Sequence, residues 1–355
     1  MSADLRARVD AALERFMRTA TDQLGGIGGE LAPMAEAARA FVLDSGKRLR
    51  PAFCFWGALA AGAEDSEALV AAAASLELLQ ACALVHDDVI DHSDTRRGRP
   101  AVHRRFAELH RTSGWSGDAD EFGTAAAILL GDVLLSWSEA MLSTSGLDGS
   151  ALRRSQPVSD AMRTEVMAGQ YLDIVEQARG ETTVERALNV ARLKSAKYTI
   201  ERPLHLGAAI ADAPPAVTAA YTAYGIPLGE AFQLRDDLLG VFGDSGVTGK
   251  PTGDDLREGK QTVLIALAIE RASPDAAQRL RNGLGEPDLS DDEVATMRDL
   301  ITGSGAEAEV KLMIRTRFDE AVTALRSLPT SSVAMRAARE QLLALAEVAA
   351  GYRRD

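Results

Sequence analysis

Apolar positions recur at three- and four-residue spacing from the start of the chain. Leu5, Val9, Ala12, Leu13 and Phe16 fall on one face, the stripe that an amphipathic helix turns toward a core. Most later segments repeat this period, and no strand-like alternation of four or more residues stands out. Two start signals agree with helices. Thr182 with Glu185, and Ser290 with Glu293, have the spacing of a capping box, in which side chains satisfy the first free amides of a helix. One long apolar stretch, Ala68 to Val85, is interrupted by Ser75, Glu77 and Gln80. That pattern predicts a buried helix and no membrane span.

Gly, Ser, Pro and Asp cluster at residues 112–118, 143–157, 243–259, 283–290 and 327–332, and these clusters predict the breaks between helices. None reads as a flexible linker. The expected fold class is therefore all-α: a large single-domain helical bundle over residues 1–355, with roughly ten or more helices around one core. Composition agrees, since aromatics are only 5% and alanine is abundant. Alanine costs least in a helix, whereas strands enrich aromatic and β-branched residues.

The net charge of −13 repels nucleic acid and anionic membrane unless basic residues are locally concentrated. Cys54 and Cys82 are far apart, so neither a disulfide framework nor a zinc site is supported. Asp4 and Glu14 stand where a signal peptide would be apolar, and a soluble protein in a reducing cytoplasm is expected.

Against this background two acidic motifs stand out. Asp87, Asp88 and Asp91 lie in HDDVID after an Ala/Leu-rich run; on a helix Asp87 and Asp91 are about 40° apart and Asp88 about 100° from Asp87. The three carboxylates share one sector, as a hard cation such as Mg²⁺ requires when it takes carboxylate and phosphate oxygens and keeps several waters. A solvated acidic face is the alternative, but the flanks are apolar and the basic run SDTRRGRP follows. Arg96 and Arg97 there have the fork-shaped donors that suit phosphate. Near the other end, GEAFQLRDDLLGVFGD places Gln233 one turn before Asp236 and Asp237, and two such helices facing each other could share metal ions. Conspicuous cations surround the motifs: Lys47, Arg48 and Arg50 in GKRLRP, then Lys194, Lys250 and Lys260. A diphosphate gripped by metal on one side and cations on the other fits this set.

In order, GKRLRP, DDVID with its RRG tail, LLGD at 129–132, GQYLD at 169–173, Lys194, FQLRDD and DLREGKQT resemble the motifs of the trans-prenyl diphosphate synthases. The likeness spans most of the chain, and the chain resembles geranylgeranyl diphosphate synthases among them. It implies an isoprenoid synthase fold with both Asp motifs facing a deep central cavity, usually in a homodimer. Asp87, Asp88, Asp91, Asp236 and Asp237 would bind Mg²⁺ bridged to an allylic diphosphate. Arg96, Lys194 and Lys260 would hold that diphosphate, and Lys47, Arg50 and Arg97 would hold isopentenyl diphosphate. Gln233 would help to place substrates and metals. The reaction implied is head-to-tail condensation through Mg²⁺-assisted ionisation of the allylic diphosphate.

Three positions depart from the family's pattern. Gln80 stands where the family places a His that contacts isopentenyl diphosphate, and it can donate a similar hydrogen bond. Gly240 replaces the third carboxylate of the second motif, with Asp244 one further turn along. Ser195 follows Lys194 where Thr is usual. His86 reads as a packing residue. Counting back from Asp87, Ala83 and Leu79 lie about 6 Å and 12 Å away by helix rise. Ala83 and its neighbour Cys82 are small where farnesyl-forming relatives carry bulky aromatics, so a geranylgeranyl product is expected. Farnesyl or longer products, a terpene cyclase and a non-catalytic partner subunit are the alternatives.

Overall fold

Helices form where the apolar period places them. The structure, a computed structural model, describes residues 3–44, 46–243, 253–286 and 288–351. Helix α1, Ala3–Ile27, buries Leu5, Val9, Ala12, Leu13 and Met17; Phe16 only packs at its margin. Helices α2 (Ala32–Leu43), α3 (Leu49–Ala60) and α4 (Glu67–Ile90) follow. A two-residue hairpin, β1 (Thr95–Arg96) with β2 (Arg99–Pro100), is the only sheet among the described residues. Then come α5 (Val102–Thr112), α6 (Ala119–Ser143), α7 (Gly149–Arg179) and α8 (Val184–Ala191). A π-helix, Arg192–Glu201, leads into α9 (Arg202–Ile210) and the long α10 (Pro215–Phe242). The short α11 (Asp254–Arg257) precedes α12 (Val263–Arg271), α13 (Pro274–Gly283), α14 (Asp291–Gly303), α15 (Ala306–Arg326) and α16 (Val333–Ala350). The all-α expectation holds.

Two helices organise the rest. α4 packs mainly on α6, while α10 packs on α15 and the π-helix. Apolar residues bury on every side of α4, among them Leu69, Val70, Leu76, Leu78 and Val85, each contributing about 1.5–3 kcal/mol on leaving water. Buried phenols keep partners: Tyr221 donates to the Gly57 carbonyl at 2.6 Å and Tyr224 to that of Leu342 at 2.7 Å.

Several local expectations need correction. Ser290 and Glu293 form the capping box, but Thr182 and Glu185 do not. The cap of α8 is Thr183, whose side chain accepts from the Arg186 amide, and Thr182 turns away to donate to Glu176 at 2.7 Å. The break expected over 143–157 ends early, because Asp148 caps α7 by accepting from the Ser150 and Ala151 amides. Pro157 therefore sits inside α7, where it costs one ladder bond that packing offsets. The apolar stretch in α4 is not the only one, since α6 is also long and apolar enough to cross a membrane. The apolar window of α4 is 72% buried inside the protein and that of α6 only 39%.

Candidate active site

The C-terminal end of α4 carries the first motif. Asp88 is fully buried, and Asp91 is the C-cap, its amide bonded to the Asp87 carbonyl at 2.8 Å. The hairpin then folds back over this end. Its two-residue turn, Arg97-Gly98, has both φ angles positive, at 54° and 73°, which matches the turn geometry that suits the twist of paired strands. Arg96 is thereby aimed at α4. Its Nε donates to Asp88 Oδ1 at 2.7 Å and its Nη2 to Asp87 Oδ2 at 3.2 Å. Arg97 stays exposed at the turn, within electrostatic reach of Glu77 and Arg48.

Lys194 comes from the π-helix, a rare conformation that is frequent at functional sites. Glycines on two neighbouring helices let this wider helix approach. A β-carbon at Gly169 of α7 would lie 2.6 Å from the Lys194 amide nitrogen, and one at Gly229 of α10 would overlap the Ala196 backbone. Lys194 Nζ reaches Asp87 Oδ1 at 3.1 Å and Asp173 Oδ2 at 2.7 Å. Burial opposes its charge, yet Asp87 and Asp173 hold the ammonium well above the usual lysine range.

The second motif lies on α10. Gln233 Nε2 donates to Asp237 Oδ1 at 2.7 Å. Burial, then the Asp255 and Asp236 charges, push the Asp237 carboxyl well above the ordinary range. Asp236 is exposed. Lys260 faces the first motif from the DDLREGK segment, with Nζ 3.6 Å from Asp91 Oδ2, 3.5 Å from Asp255 Oδ1 and 2.5 Å from Glu258 Oε2. Burial would raise the Asp87 carboxyl, but Lys194, Lys260 and Arg96 hold it down at about 2. Burial and the Asp87 charge push Asp91 up to about 6.

Gly240 makes room for an unexpected carboxylate. A β-carbon at 240 would overlap Oδ2 of Asp255, so Asp255 takes the space where the second motif's missing third side chain would begin. Asp244 and Lys250 lie outside the described residues.

The GKRLRP segment divides its labour. Arg48 takes a left-handed conformation, φ 51°, and turns inward: Nη1 donates to Glu77 Oε2 at 2.7 Å and Nε to Asp10 Oδ1 at 2.9 Å. The cluster of three cations expected from sequence is thus two, with Lys47 exposed and Arg50 half-buried. Arg50 stacks 4.2 Å over the Tyr198 ring and donates from Nη2 to Thr199 at 2.7 Å, while its buried Nε has no partner among the described residues. Gln80 accepts from the Tyr198 hydroxyl at 2.9 Å, so it supports the ring under Arg50.

Below the motif, Leu79 and Cys82 are buried and Ala83 half-buried. Burial pushes the Cys82 thiol up to about 12. His86 packs against α6, its Nε2 3.0 Å from the Ile128 carbonyl.

Among the described residues no three acidic, His or Cys side chains converge as a closed metal cage. The donor set nonetheless fits Mg²⁺, which takes one or two carboxylates plus waters and phosphate oxygens. Among the described residues the buried Asp91 Oδ1 has no hydrogen-bond donor, while Lys194 and Arg96 reach the two Asp87 oxygens and Lys260 reaches Asp91 Oδ2.

Residues 32–301 match the polyprenyl synthetase family. The chain belongs to this family. It is a prenyltransferase that acts on isoprenoid diphosphates, and polyprenyl synthetases hold diphosphate through divalent metal. It is 35% identical over 286 residues to a (2E,6E)-farnesyl diphosphate synthase of Mycobacterium bovis, covering 78% of this chain and 73% of that one. It is 33% identical over 309 residues to a geranylgeranyl diphosphate synthase of Mycobacterium tuberculosis, covering 86% and 83%. It also resembles the crystal structure of the Corynebacterium glutamicum geranylgeranyl pyrophosphate synthase complexed with isoprenyl diphosphate and magnesium. There the TM-score is 0.94 and the identity 44%, over 99% of this chain and 100% of that one.

Sequence reasoning about this polyprenyl synthetase missed three contributors. Asp173 lies in GQYLD, and its role as the partner of Lys194 shows only in the fold. Asp255 and Glu258 lie in DDLREGK, where Lys260 is the residue that the motif points to. Their meeting with α10 and α4 is a property of the tertiary fold.

Proposed function

We propose that this enzyme condenses isopentenyl diphosphate with an allylic diphosphate and that its main product is geranylgeranyl diphosphate. The observation that carries the product length is Ala83, half-buried one turn before Asp87 beside buried Cys82. Neither side chain is large enough to stop a tail at that level. The Corynebacterium glutamicum protein named a geranylgeranyl pyrophosphate synthase supports the same reading.

In this reading Asp87, Asp88 and Asp91 on α4, with Asp236 and Asp237 on α10, hold Mg²⁺ against the allylic diphosphate. The metal, when bound, draws off the charge that develops on the leaving oxygens. Arg96, Lys194 and Lys260 add fixed positive charge on the same side, which stabilises the breaking C–O bond. Lys47, Arg50 and Arg97 bind the second diphosphate, and Gln80 steadies Arg50 through Tyr198. Inorganic diphosphate departs with the C–O electron pair, the alkene of isopentenyl diphosphate closes the new C–C bond at the allylic C1, and the departed diphosphate takes up the proton that is lost. Apolar α4 residues shield the cation from water.

A homodimer is part of the proposal. Leu129 on α6 is 56% exposed and Tyr171 on α7 is 67% exposed, with Ile128 and Met167 beside them; an apolar face of this kind fits a second copy.

The test is mass analysis of products from isopentenyl diphosphate with dimethylallyl, geranyl or farnesyl diphosphate and Mg²⁺. Geranylgeranyl diphosphate as the main product supports the reading. Accumulation of farnesyl diphosphate alone rejects the length, and hydrocarbon from geranylgeranyl diphosphate alone would favour a cyclase.

A further inference from the structure

We infer that the ion pair between Asp44 and Arg99 is a latch that sets the two halves of the isopentenyl diphosphate site, Lys47 with Arg50 and Arg97, in register. The inference rests on the prenyl-transfer reading above, in which those three cations hold that diphosphate. It makes Asp44 and Arg99 positioning residues, acting through cations on either side of them.

The three cations come from two separate pieces of chain. Lys47 and Arg50 lie in GKRLRP, where α3 begins, and Arg97 stands in the turn of the hairpin that follows α4. Lys47 and Arg97 are both exposed. A two-stranded hairpin is marginal by itself, so the place of Arg97 depends on what the two strands hold.

Each strand is pinned by a guanidinium on a carboxylate. Arg96 of β1 and Arg99 of β2 are directly opposed in register. Arg96 binds Asp87 and Asp88 on α4. Arg99 goes to a different helix, its Nη1 2.7 Å from Asp44 Oδ2. Asp44 is the C-cap of α2, with its amide bonded to the Ala40 carbonyl at 3.0 Å. Lys47 follows it closely in the chain. The pair therefore ties β2, next to Arg97, to the stretch that leads into GKRLRP.

Nothing else near Asp44 gives its charge a use. A carboxylate at a helix C-terminus faces the negative end of the macrodipole, so it does not stabilise α2. Asp44 also lies within electrostatic reach of Arg97, where a negative charge opposes the binding of an anion. An acid in this position works against both helix and substrate unless it holds a cation in place, and the cation it holds is Arg99. The Arg99 and Asp44 side chains are 67% and 33% exposed, and pairs this open add little to stability. Their effect falls on the position of the turn.

The experiment is steady-state kinetics of the full chain with Mg²⁺, each diphosphate substrate varied in turn. Asp44→Asn and Arg99→Gln each raise KM for isopentenyl diphosphate by about two- to fivefold, the worth of an exposed pair. The value of kcat and KM for farnesyl diphosphate stay at wild type. The double variant Asp44→Asn/Arg99→Gln is no worse than the worse single one. The sign at Asp44 decides, because a charge acting only through its field gives the opposite result: removing the acid lowers KM. Asn at the end of α2 also relieves the clash with the helix dipole, so Asp44→Asn keeps the wild-type Tm and its raised KM is no sign of unfolding. A KM at or below wild type in Asp44→Asn overturns the latch, as do single effects that multiply in the double variant. Arg97→Gln separates the two readings. A raised KM there, with Asp44→Asn at wild type, leaves the diphosphate site standing without its latch; a wild-type KM in Arg97→Gln removes Arg97 from the site and the latch with it.

Discussion

Asp255 occupies the space that a side chain at Gly240 would need. The second acidic motif lacks its third carboxylate in sequence, and the fold brings one from α11 to the face of α10. Replacing Gly240 by Ala must displace that carboxylate. We expect Gly240→Ala and Asp255→Asn each to weaken Mg²⁺ binding, measured calorimetrically with inorganic diphosphate, by about ten- to a hundredfold, as loss of supporting groups at metal sites does. Wild-type affinity in both would show that Asp255 contributes nothing.

Lys260 ties Asp91 to Asp255 and Glu258. Its loss leaves three largely but not fully buried carboxylates with less compensation, and breaking a buried pair costs about 3 kcal/mol or more. Lys260→Met should lower the urea midpoint, and Mg²⁺ with inorganic diphosphate should recover part of the loss, because metal binding only to the native state stabilises it. A midpoint equal to wild type would show that Lys260 does not hold Asp91, Asp255 and Glu258 together.

Arg48 is bound to Glu77 and Asp10, with the Arg48 and Glu77 side chains 4% and 7% exposed. Arg48→Met should therefore destabilise the fold by about 3–5 kcal/mol. It should also raise KM for isopentenyl diphosphate with little change in kcat, because Lys47 and Arg50 flank it in the chain. Equal KM values would mean that the loop holds its shape without the ion pair.

Gly229 lies directly against the Ala196 backbone. Gly229→Ala forces α10 and the π-helix apart, an overpacking cost of about 1–3 kcal/mol, and moves Lys194 off Asp87. Thermal denaturation should show the loss, and kcat should fall with it. A stable, fully active Gly229→Ala enzyme would show that the contact yields without cost.

Much of this site was legible before the fold. The helical class followed from periodicity along α1 and the Ala/Leu-rich run of α4, and Asp87, Asp88 and Asp91 stood out because their spacing puts them on one sector of one helix. What could not be read are meetings between distant segments. Asp255 and Gly240 are fifteen positions apart with the 244–252 segment between them, and no local pattern signals that one fills the other's space. Arg48 looked like a phosphate ligand because its neighbours do; its left-handed backbone and the burial of Glu77 decide otherwise. Pro157 looked like a break because proline ends isolated helices, yet the Asp148 cap and the packing of Met162 and Val166 carry α7 through it.

The most direct measurement is the rate of condensation of isopentenyl diphosphate with farnesyl diphosphate by the variant Asp87→Asn/Asp88→Asn/Asp91→Asn. Removing one group that stabilises developing charge costs about a hundred- to a thousandfold, so the account predicts a loss of at least that size with the helical fold intact. A folded triple variant that turns over at the wild-type rate would contradict it.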